Sequence, residues 1–457
     1  MQEQNNKVVI VGAGLTGLVT AYYLKKWGVD FKVLEKSGRT GGVIRTYKED
    51  GFVYESGPNT AVLSQPEVKE LFEDLGDRCK MEIADEEAKR RLIWKNGRWH
   101  ALPAGLIQGV QTPLFSMKDK LRLLGEPFRK KGTDPNENLA DLVRRRMGES
   151  FLNYAVDPFI LGIYAGDPEY LVPKYALPKL YNLEQDYGSF IGGAIKKGRE
   201  QKTERERKAT KEVFSVKGGL ENLIHALRDV VGPENIILNA ADIRVEIAEN
   251  QYRTDFYREG VTQRILADKV VSTTSSPEIP GMFPFLPEEI TGHIDNLEYS
   301  QVAEIALGFK QWEGMELNAF GGLVPYRENR NILGALFLSS FLSGRAPEGG
   351  AMITIFTGGY RRPEMMEHSD EEMMEIVGKE VKEMLQLKSF RPDLQRIFRY
   401  SHAIPQYGAS SRERFSAVEN VQKKFPGLYI AGNLRDGIGM ADRIKQARGL
   451  AETLIAS

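Results

Sequence analysis

Gly12-Ala-Gly-Leu-Thr-Gly17 stands between a short apolar run at residues 7–11 and a stretch of helical periodicity at residues 18–27, and a second strand pattern follows at residues 31–34. A strand that turns through three glycines and leaves as a helix has few alternatives to a βαβ unit. The glycines allow a tight reversal, close approach of a ligand to the backbone and close packing of helix on strand, and they aim a helix N-terminus at whatever binds there. Glu35 closes the second strand about 20 residues on, where a carboxylate accepts hydrogen bonds from an adenosine ribose and repels a 2′-phosphate. The turn residues Gly12, Gly14, Leu15, Thr16 and Gly17, with Glu35 and Lys36, are therefore expected to hold the adenine half of a dinucleotide. This pattern alone does not separate NAD from FAD.

The rest of the sequence narrows the chemistry by exclusion. A single cysteine, Cys79, leaves no CxxC pair, disulfide framework or cysteine-based metal cluster, so redox chemistry requires a bound cofactor. Sixty-two basic and 63 acidic side chains give a net charge of -1, which predicts no bulk attraction to nucleic acid. The histidines His100, His225, His293, His368 and His402 are scattered, and no hydrolytic triad or metal site suggests itself. No signal core, presequence or transmembrane-length apolar run is visible, so a cytoplasmic chain is expected.

At 457 residues the chain exceeds one compact core. From residue 66 to about 232 the pattern is mainly helical, interrupted by a hairpin at 91–102 whose turn is Asn96-Gly97. Residues 196–211 carry eight basic and three acidic side chains without a large apolar one, and are expected to form a mobile surface loop. Strand patterns at 236–238, 243–247, 252–257 and 261–274 suggest a meander that rejoins the first sheet. Further strands at 302–309, 321–325, 332–338 and 351–356, then a helix at 370–387, predict a second sheet. A buried strand near 427–432, a glycine-rich turn and a helix at 442–455 close the chain.

Directly after Glu35, Arg39-Thr-Gly-Gly-Val-Ile-Arg45 places a guanidinium and the pair Gly41, Gly42 where a second set of pyrophosphate contacts would fall. This segment resembles the FAD signature of the amine oxidase and protoporphyrinogen oxidase superfamily. Gly57-Pro58-Asn59 is similar to that superfamily's turn beside the flavin, and Gly432 with Gly437-Ile438-Gly439-Met440 resembles its C-terminal element over the ribityl chain and isoalloxazine. The resemblance implies noncovalent FAD. There is no second glycine fingerprint for NAD(P)H, which leaves oxygen as the simplest electron acceptor.

Four further blocks look like protoporphyrinogen oxidases: residues 91–103, Gly162-Ile-Tyr-Ala-Gly-Asp167, Val216-Lys-Gly-Gly-Leu220 and Ile404-Pro-Gln-Tyr407. Carried over by position, Arg91 pairs with a substrate propionate, Phe320 and Leu323 sandwich a pyrrole ring, Phe356 fills another bulky apolar position, and Gly162 joins the substrate side. A surface arginine and ordinary core packing are the alternatives for these positions. No residue is expected to act as a catalytic nucleophile, because hydride transfer to flavin N5 needs positioning.

The resemblance implies an α/β protein: a discontinuous Rossmann-like FAD-binding domain (1–90, 212–296 and 411–457), a mixed-sheet substrate domain (297–410) and a helical insertion (91–211). It implies oxidation of protoporphyrinogen IX to protoporphyrin IX in haem biosynthesis, with oxygen giving hydrogen peroxide. Coproporphyrinogen III, an amine or carotenoid-type substrate, and a flavin-binding protein without turnover stay open, as does a homodimer. Residues 101–115, apolar but broken by Pro103, Gly105, Gly109 and Pro113, precede Lys118, Lys120, Arg122, Arg129, Lys130 and Lys131. In the family the matching insertion faces the membrane, so a peripheral site on the inner face of the cell membrane and a simple helical lid are both open readings.

Overall fold

The computed structural model describes residues 4–86 and 88–456. Residues 1–3, which open the expected FAD-binding segment, and residues 87 and 457 lie outside the described residues.

The first strand, β1 (Gln4–Val11), lies parallel to β2 (Phe31–Leu34) on one side and to Val261–Ser272 on the other. Ile236–Ile237 continues the parallel sheet beyond β2, and Leu428–Ile430 pairs with Val261–Ser272. Antiparallel strands Gln251–Arg258 and Ala241–Ala248 complete seven strands. Segments more than 400 residues apart thus share one sheet, which accounts for the strand patterns at both ends of the chain. Val8, Val9 and Ile10 are wholly buried because helices cover both faces, and such strands read as unbroken apolar runs. On one face lie α1 (Leu15–Lys26) and the helices Glu221–Val231 and Met440–Ala456; on the other, residues 279–294 and the helix Ser411–Lys424.

The second seven-stranded sheet runs Leu394–Pro405, Tyr299–Phe309, Ala351–Gly358, Ile332–Leu336, Gly321–Leu323, Arg91–Lys95, Arg98–Ala101. The expected hairpin forms, with Asn96 and Gly97 both at positive φ (51° and 77°), the requirement of a two-residue type I′ turn. It joins this sheet through parallel pairing of Arg91–Lys95 with Gly321–Leu323, so segment 91–211 supplies two strands here as well as its helices. The helix Asp370–Met384 packs Met373, Val377, Val381 and Met384 onto the sheet and begins with a Ser369/Glu372 capping box.

The basic stretch at 196–211 departs from the expectation of a mobile loop. Its first residues end the helix Phe190–Arg199, and Thr203 and Glu206 form a capping box on the short helix Glu204–Arg207. Arg205 pairs with Glu67 and Glu70 (both 2.8 Å), and Lys208 with Glu73 (2.6 Å). Those acids repeat at helical spacing along Pro66–Leu75, so the segment docks by charge where it has no apolar side chain to bury.

The helical block is tied by a buried ion network. Arg146, 0% exposed, reaches Glu126 (2.9 Å) and Glu184 (2.7 Å), and Glu126 also accepts the Phe190 N–H (2.9 Å). Replacing Arg146 with Met leaves the buried Glu126 without a cation while Glu184 keeps Arg145 (2.8 Å), and is expected to cost about 3 kcal/mol of stability. Urea unfolding followed by circular dichroism measures it; a loss below about 1 kcal/mol would show that water compensates the acids.

Candidate active site

The glycine turn lies at the carboxyl end of β1, where open parallel sheets bind ligands. Its three glycines have three different reasons. Gly12 sits at φ 102°, and a Cβ there would meet Thr273 Oγ1 at 2.7 Å. A Cβ on Gly17 would lie 1.9 Å from the Gly12 carbonyl oxygen. On Gly14 it would meet nothing within 4 Å, so this residue faces open space. Gly14 is the N-cap of α1 and brings no side-chain cap, and the first turn carries no acid. Its N–H groups are thus presented to an anion, as a pyrophosphate requires. Leu15 and Thr16 are buried beneath them.

Glu35 links the turn to the end of β2: Oε2 accepts from the Ala13 N–H (2.8 Å), and Oε1 from the Ser37 N–H (2.9 Å) and hydroxyl (2.8 Å). Lys36 points elsewhere, into an exposed pair with Glu278 (2.6 Å). Gly41 (φ 106°) donates to the Ala13 carbonyl (2.8 Å), and a Cβ on Gly42 would come within 3.4 Å of the Gly14 Cα. Arg39 folds back to donate to the carbonyls of Thr40 (3.2 Å) and Ile44 (3.1 Å), organising its own loop. Gly57 (φ 91°) packs against that loop; a Cβ would be 2.5 Å from the Val43 carbonyl oxygen. Pro58 is half-buried and Asn59 buried beside it.

The C-terminal element closes the same crevice. A Cβ on Gly432 (φ 103°) would sit 3.2 Å from the Thr273 carbonyl oxygen, and Thr273 Oγ1 donates to the Val11 (3.0 Å) and Gly12 (3.2 Å) carbonyls. Gly437 (φ 97°) and Gly439 lead to Met440, which opens the last helix. Tyr407 donates to the carbonyls of Asn433 and Gly437. Arg443, buried, donates to the carbonyls of Gly432 and Arg435 and forms no ion pair among the described residues. Burial holds its guanidinium below the usual range, a cost that an anion in the crevice would relieve.

Of the residues expected on the substrate side, Leu323 occupies the space in which Gly162 would carry a Cβ, with its Cδ2 2.6 Å from that point. Leu323, Ile404 and Ile438 pack against one apolar cluster with Ile93, Tyr164 and Tyr407, which joins the C-terminal element to the second sheet. Phe320 belongs to a neighbouring cluster and stacks on Phe341 at 4.4 Å between ring centroids. Phe356 lies in a third, with Leu161, Ala165 and Leu333. The two residues expected to sandwich a pyrrole ring, Phe320 and Leu323, and the further apolar position Phe356 are thus spread over three apolar clusters. Arg91, exposed and paired in register with Gly321, holds its guanidinium 5.8 Å from the centre of the Phe320 ring and faces no acid among the described residues. Its neighbour Arg90 donates to the Asn318 carbonyl.

Thr273, Arg443 and Glu304 were not singled out from the sequence. Thr273 ends a readable strand, and Arg443 falls three residues after a glycine motif; Glu304, inside an apolar strand, was visible only as a charge out of place.

The flavin-containing amine oxidoreductase family matches residues 15–452. The chain belongs to that family; it is an oxidoreductase and its cofactor is FAD. It is 29% identical to the mitochondrial protoporphyrinogen oxidase of Nicotiana tabacum, covering 98% of this chain and 95% of that one. It is 26% identical to the coproporphyrinogen III oxidase of Bacillus subtilis over 98% and 97% of the two chains. An Exiguobacterium structure named for protoporphyrinogen oxidase shares the fold with a TM-score of 0.83, 23% identity and full coverage of both chains. Reduced UDP-galactopyranose mutase shares it at 0.75, with 17% identity over 99% and 94%.

The geometry separates two glycines by experiment. Gly14→Ala is expected to fold with unchanged stability and to weaken FAD binding about tenfold or more, because the added methyl enters the space the pyrophosphate needs. Gly17→Ala is expected to fail earlier, in folding. Flavin fluorescence titration with thermal unfolding distinguishes them, and equal FAD affinity in Gly14→Ala and wild type would place the pyrophosphate elsewhere.

Proposed function

We propose that this chain oxidises a porphyrinogen to the porphyrin, with protoporphyrinogen IX as the substrate, noncovalent FAD as the acceptor and oxygen as the final oxidant, which leaves as hydrogen peroxide. The observation that carries this reading is Arg91, a cation with no ion-pair partner among the described residues, on the strand next to Leu323, whose apolar cluster continues into Ile438. A flat apolar macrocycle with carboxylates at its rim matches that pairing of surface and charge. Relatives named for porphyrinogen oxidation cover nearly the whole chain and support it. Coproporphyrinogen III is the second reading, favoured by the relatives from Bacillus subtilis and Staphylococcus aureus.

In this reading residues 1–90, 212–296 and 411–457 bind FAD, 297–410 bind substrate, and 91–211 form the insertion. Bound FAD supplies the hydride acceptor. The chain's own contribution is orientation: Arg91 anchors a propionate, while Leu323, Phe320 and Phe356 offer apolar contact and Gly162 leaves room for Leu323. The only cysteine, Cys79, is buried in the first core, and burial pushes its thiol up to about 12, so it supplies no thiolate to tether the flavin.

No described helix is long and apolar enough to cross a membrane. We propose peripheral attachment to the inner face of the cell membrane through the helices Leu106–Gln111 and Met117–Leu124 and the turn after them. Ile107, Val110, Leu121, Leu124 and Phe128 are all exposed there, Phe128 by 89%. Lys118 and Lys130 are exposed nearby, whereas Lys120, Arg122 and Lys131 donate to backbone carbonyls. Apolar insertion therefore outweighs charge in this contact.

Two measurements follow. Arg91→Ala is expected to raise KM and to lower kcat/KM about tenfold to a hundredfold, with Arg91→Lys recovering part of the loss and FAD content unchanged. Comparable porphyrinogen kinetics in flavin-loaded wild type and Arg91→Ala would leave Arg91 a surface arginine. Cosedimentation with anionic vesicles is expected to fall sharply in an Ile107→Asp, Phe128→Asp double variant and to weaken only modestly with salt. Recovery of the wild type free of vesicles at low salt would reduce the insertion to a lid.

A further inference from the structure

Glu304 stands in the middle of the strand Tyr299–Phe309, 1% exposed, in a run that is otherwise apolar. Its carboxyl accepts from the Gly57 N–H (2.6 Å) and from the Asn59 side-chain amide (2.6 Å). The orientation of that amide is fixed by its neighbours: its N–H₂ also donates to the Gly57 carbonyl (3.2 Å), and its oxygen accepts from the Thr354 hydroxyl (3.1 Å). Two adjacent strands of the second sheet thus grip the 57–59 turn from behind. On its other side the turn touches Val43, in the loop whose Gly41 and Gly42 meet Ala13 and Gly14. One layer of backbone separates the carboxyl from the cofactor loop.

The groups around Glu304 do not neutralise it. Nearby on the strand Phe52–Ser56 lies Glu55, whose own carboxyl is engaged by Arg345 (3.1 Å), the Leu220 N–H (3.0 Å) and Thr46. Tyr400, on the strand Leu394–Pro405, feels the Glu304 charge, and Arg39 beyond it is engaged by its own loop. Phe356 and Phe398 are its register partners on the flanking strands. No cation pairs with Glu304 among the described residues. Burial pushes it up to about 8, with the Asn59 and Gly57 hydrogen bonds opposing and Glu55 adding to the rise.

We infer that Glu304 is a positioning residue for the bound flavin: a buried, unneutralised carboxyl that holds the 57–59 turn against the cofactor loop and, on losing its proton, places a negative charge behind that turn. The inference rests on the reading that FAD fills the crevice beside this turn. A charge there disfavours added electrons, so flavin reduction becomes harder as Glu304 ionises, and reduction in turn promotes protonation of Glu304. The same proton affects stability. The folded carboxyl binds its proton more tightly than the unfolded one, so its contribution is fully present below the ordinary value of 4.5 and is lost as pH rises through about 8.

The test uses FAD-loaded wild type and Glu304→Gln, since glutamine removes the charge at nearly the same shape, its carbonyl oxygen keeping one of the two N–H donors and its amide giving up the other. Spectroelectrochemical titration from about pH 6 to about pH 9.5 is expected to show the wild-type reduction equilibrium, relative to Glu304→Gln, falling about tenfold across the range. The melting temperatures of the two proteins are expected to diverge in the same way, wild type losing melting temperature with rising pH more steeply than the variant. Parallel pH profiles of the two flavins overturn the inference, even if stability differs, because a merely structural role moves stability alone. Should Glu304→Gln not fold, proton uptake on anaerobic reduction of the wild type decides: extra uptake near pH 8 supports the inference and its absence overturns it. Failure of the wild type to bind FAD would instead overturn the flavin site, a separate outcome.

Discussion

The close approach of Gly17 to the carbonyl oxygen of Gly12 sets the register of everything around the crevice. A side chain at position 17 would need space that the turn itself occupies, so α1 can begin where it does only because that residue is glycine. With α1 seated, Gly14 is left facing open space and the first-turn N–H groups point into it. Thr273 then connects the turn to the rest of the molecule, accepting the close approach of Gly12 and Gly432 and donating to the backbone of β1. Segments from the start, the middle and the end of the chain therefore meet at one residue, the glycine turn at its hydroxyl and Gly432 at its carbonyl oxygen. The discontinuity of the cofactor half is a consequence of this geometry, because the crevice needs a floor from the N-terminus and a lid from the C-terminus.

The two sheets communicate across the crevice by two unlike contacts. One is apolar, where Leu323 and Ile438 share a cluster, and in the proposed function it would offer a flat ligand a continuous surface. The other is polar, where Glu304 and Thr354 hold Asn59 and Gly57. Apolar contact tolerates sliding, whereas paired hydrogen bonds fix distance and angle, so the polar contact is the one that sets the separation of the two halves. In the proposed reaction that division of labour suits a hydride transfer, which needs two planes held at a defined spacing more than it needs an acid or a base.

Much of the cofactor half was legible because backbone constraints write themselves into glycine positions, and strand pairs buried on both faces write themselves into apolar runs. Gly12, Gly14, Gly17 and Glu35 fall where their spacing puts them. The strand Leu394–Pro405 was not legible: its edge position leaves Arg396, Arg399 and His402 exposed or half-buried, and the alternation is blurred. The helix Ser411–Lys424 hides for another reason, since its buried face carries Arg414, which donates to the Leu434 carbonyl. The stretch 196–211 misleads because its docking is electrostatic, and composition alone cannot tell a solvated charge from one facing the acids of Pro66–Leu75. The substrate side is least legible: Phe320, Leu323 and Phe356 are close in pattern yet lie in different clusters, a matter of sheet twist and strand order that one strand's sequence does not carry.

In the proposed function the crevice brings a porphyrinogen and FAD together for direct reduction of the flavin. This is tested most directly by mixing the FAD-loaded protein, without oxygen, with protoporphyrinogen IX or coproporphyrinogen III and following the flavin absorbance in a stopped-flow instrument. The oxidised flavin is expected to bleach with simultaneous appearance of porphyrin absorbance, faster for protoporphyrinogen IX, and the oxidised spectrum to return with peroxide on admitting air. A flavin that stays oxidised in the presence of both porphyrinogens, in protein that is fully loaded and folded, would contradict the proposed function.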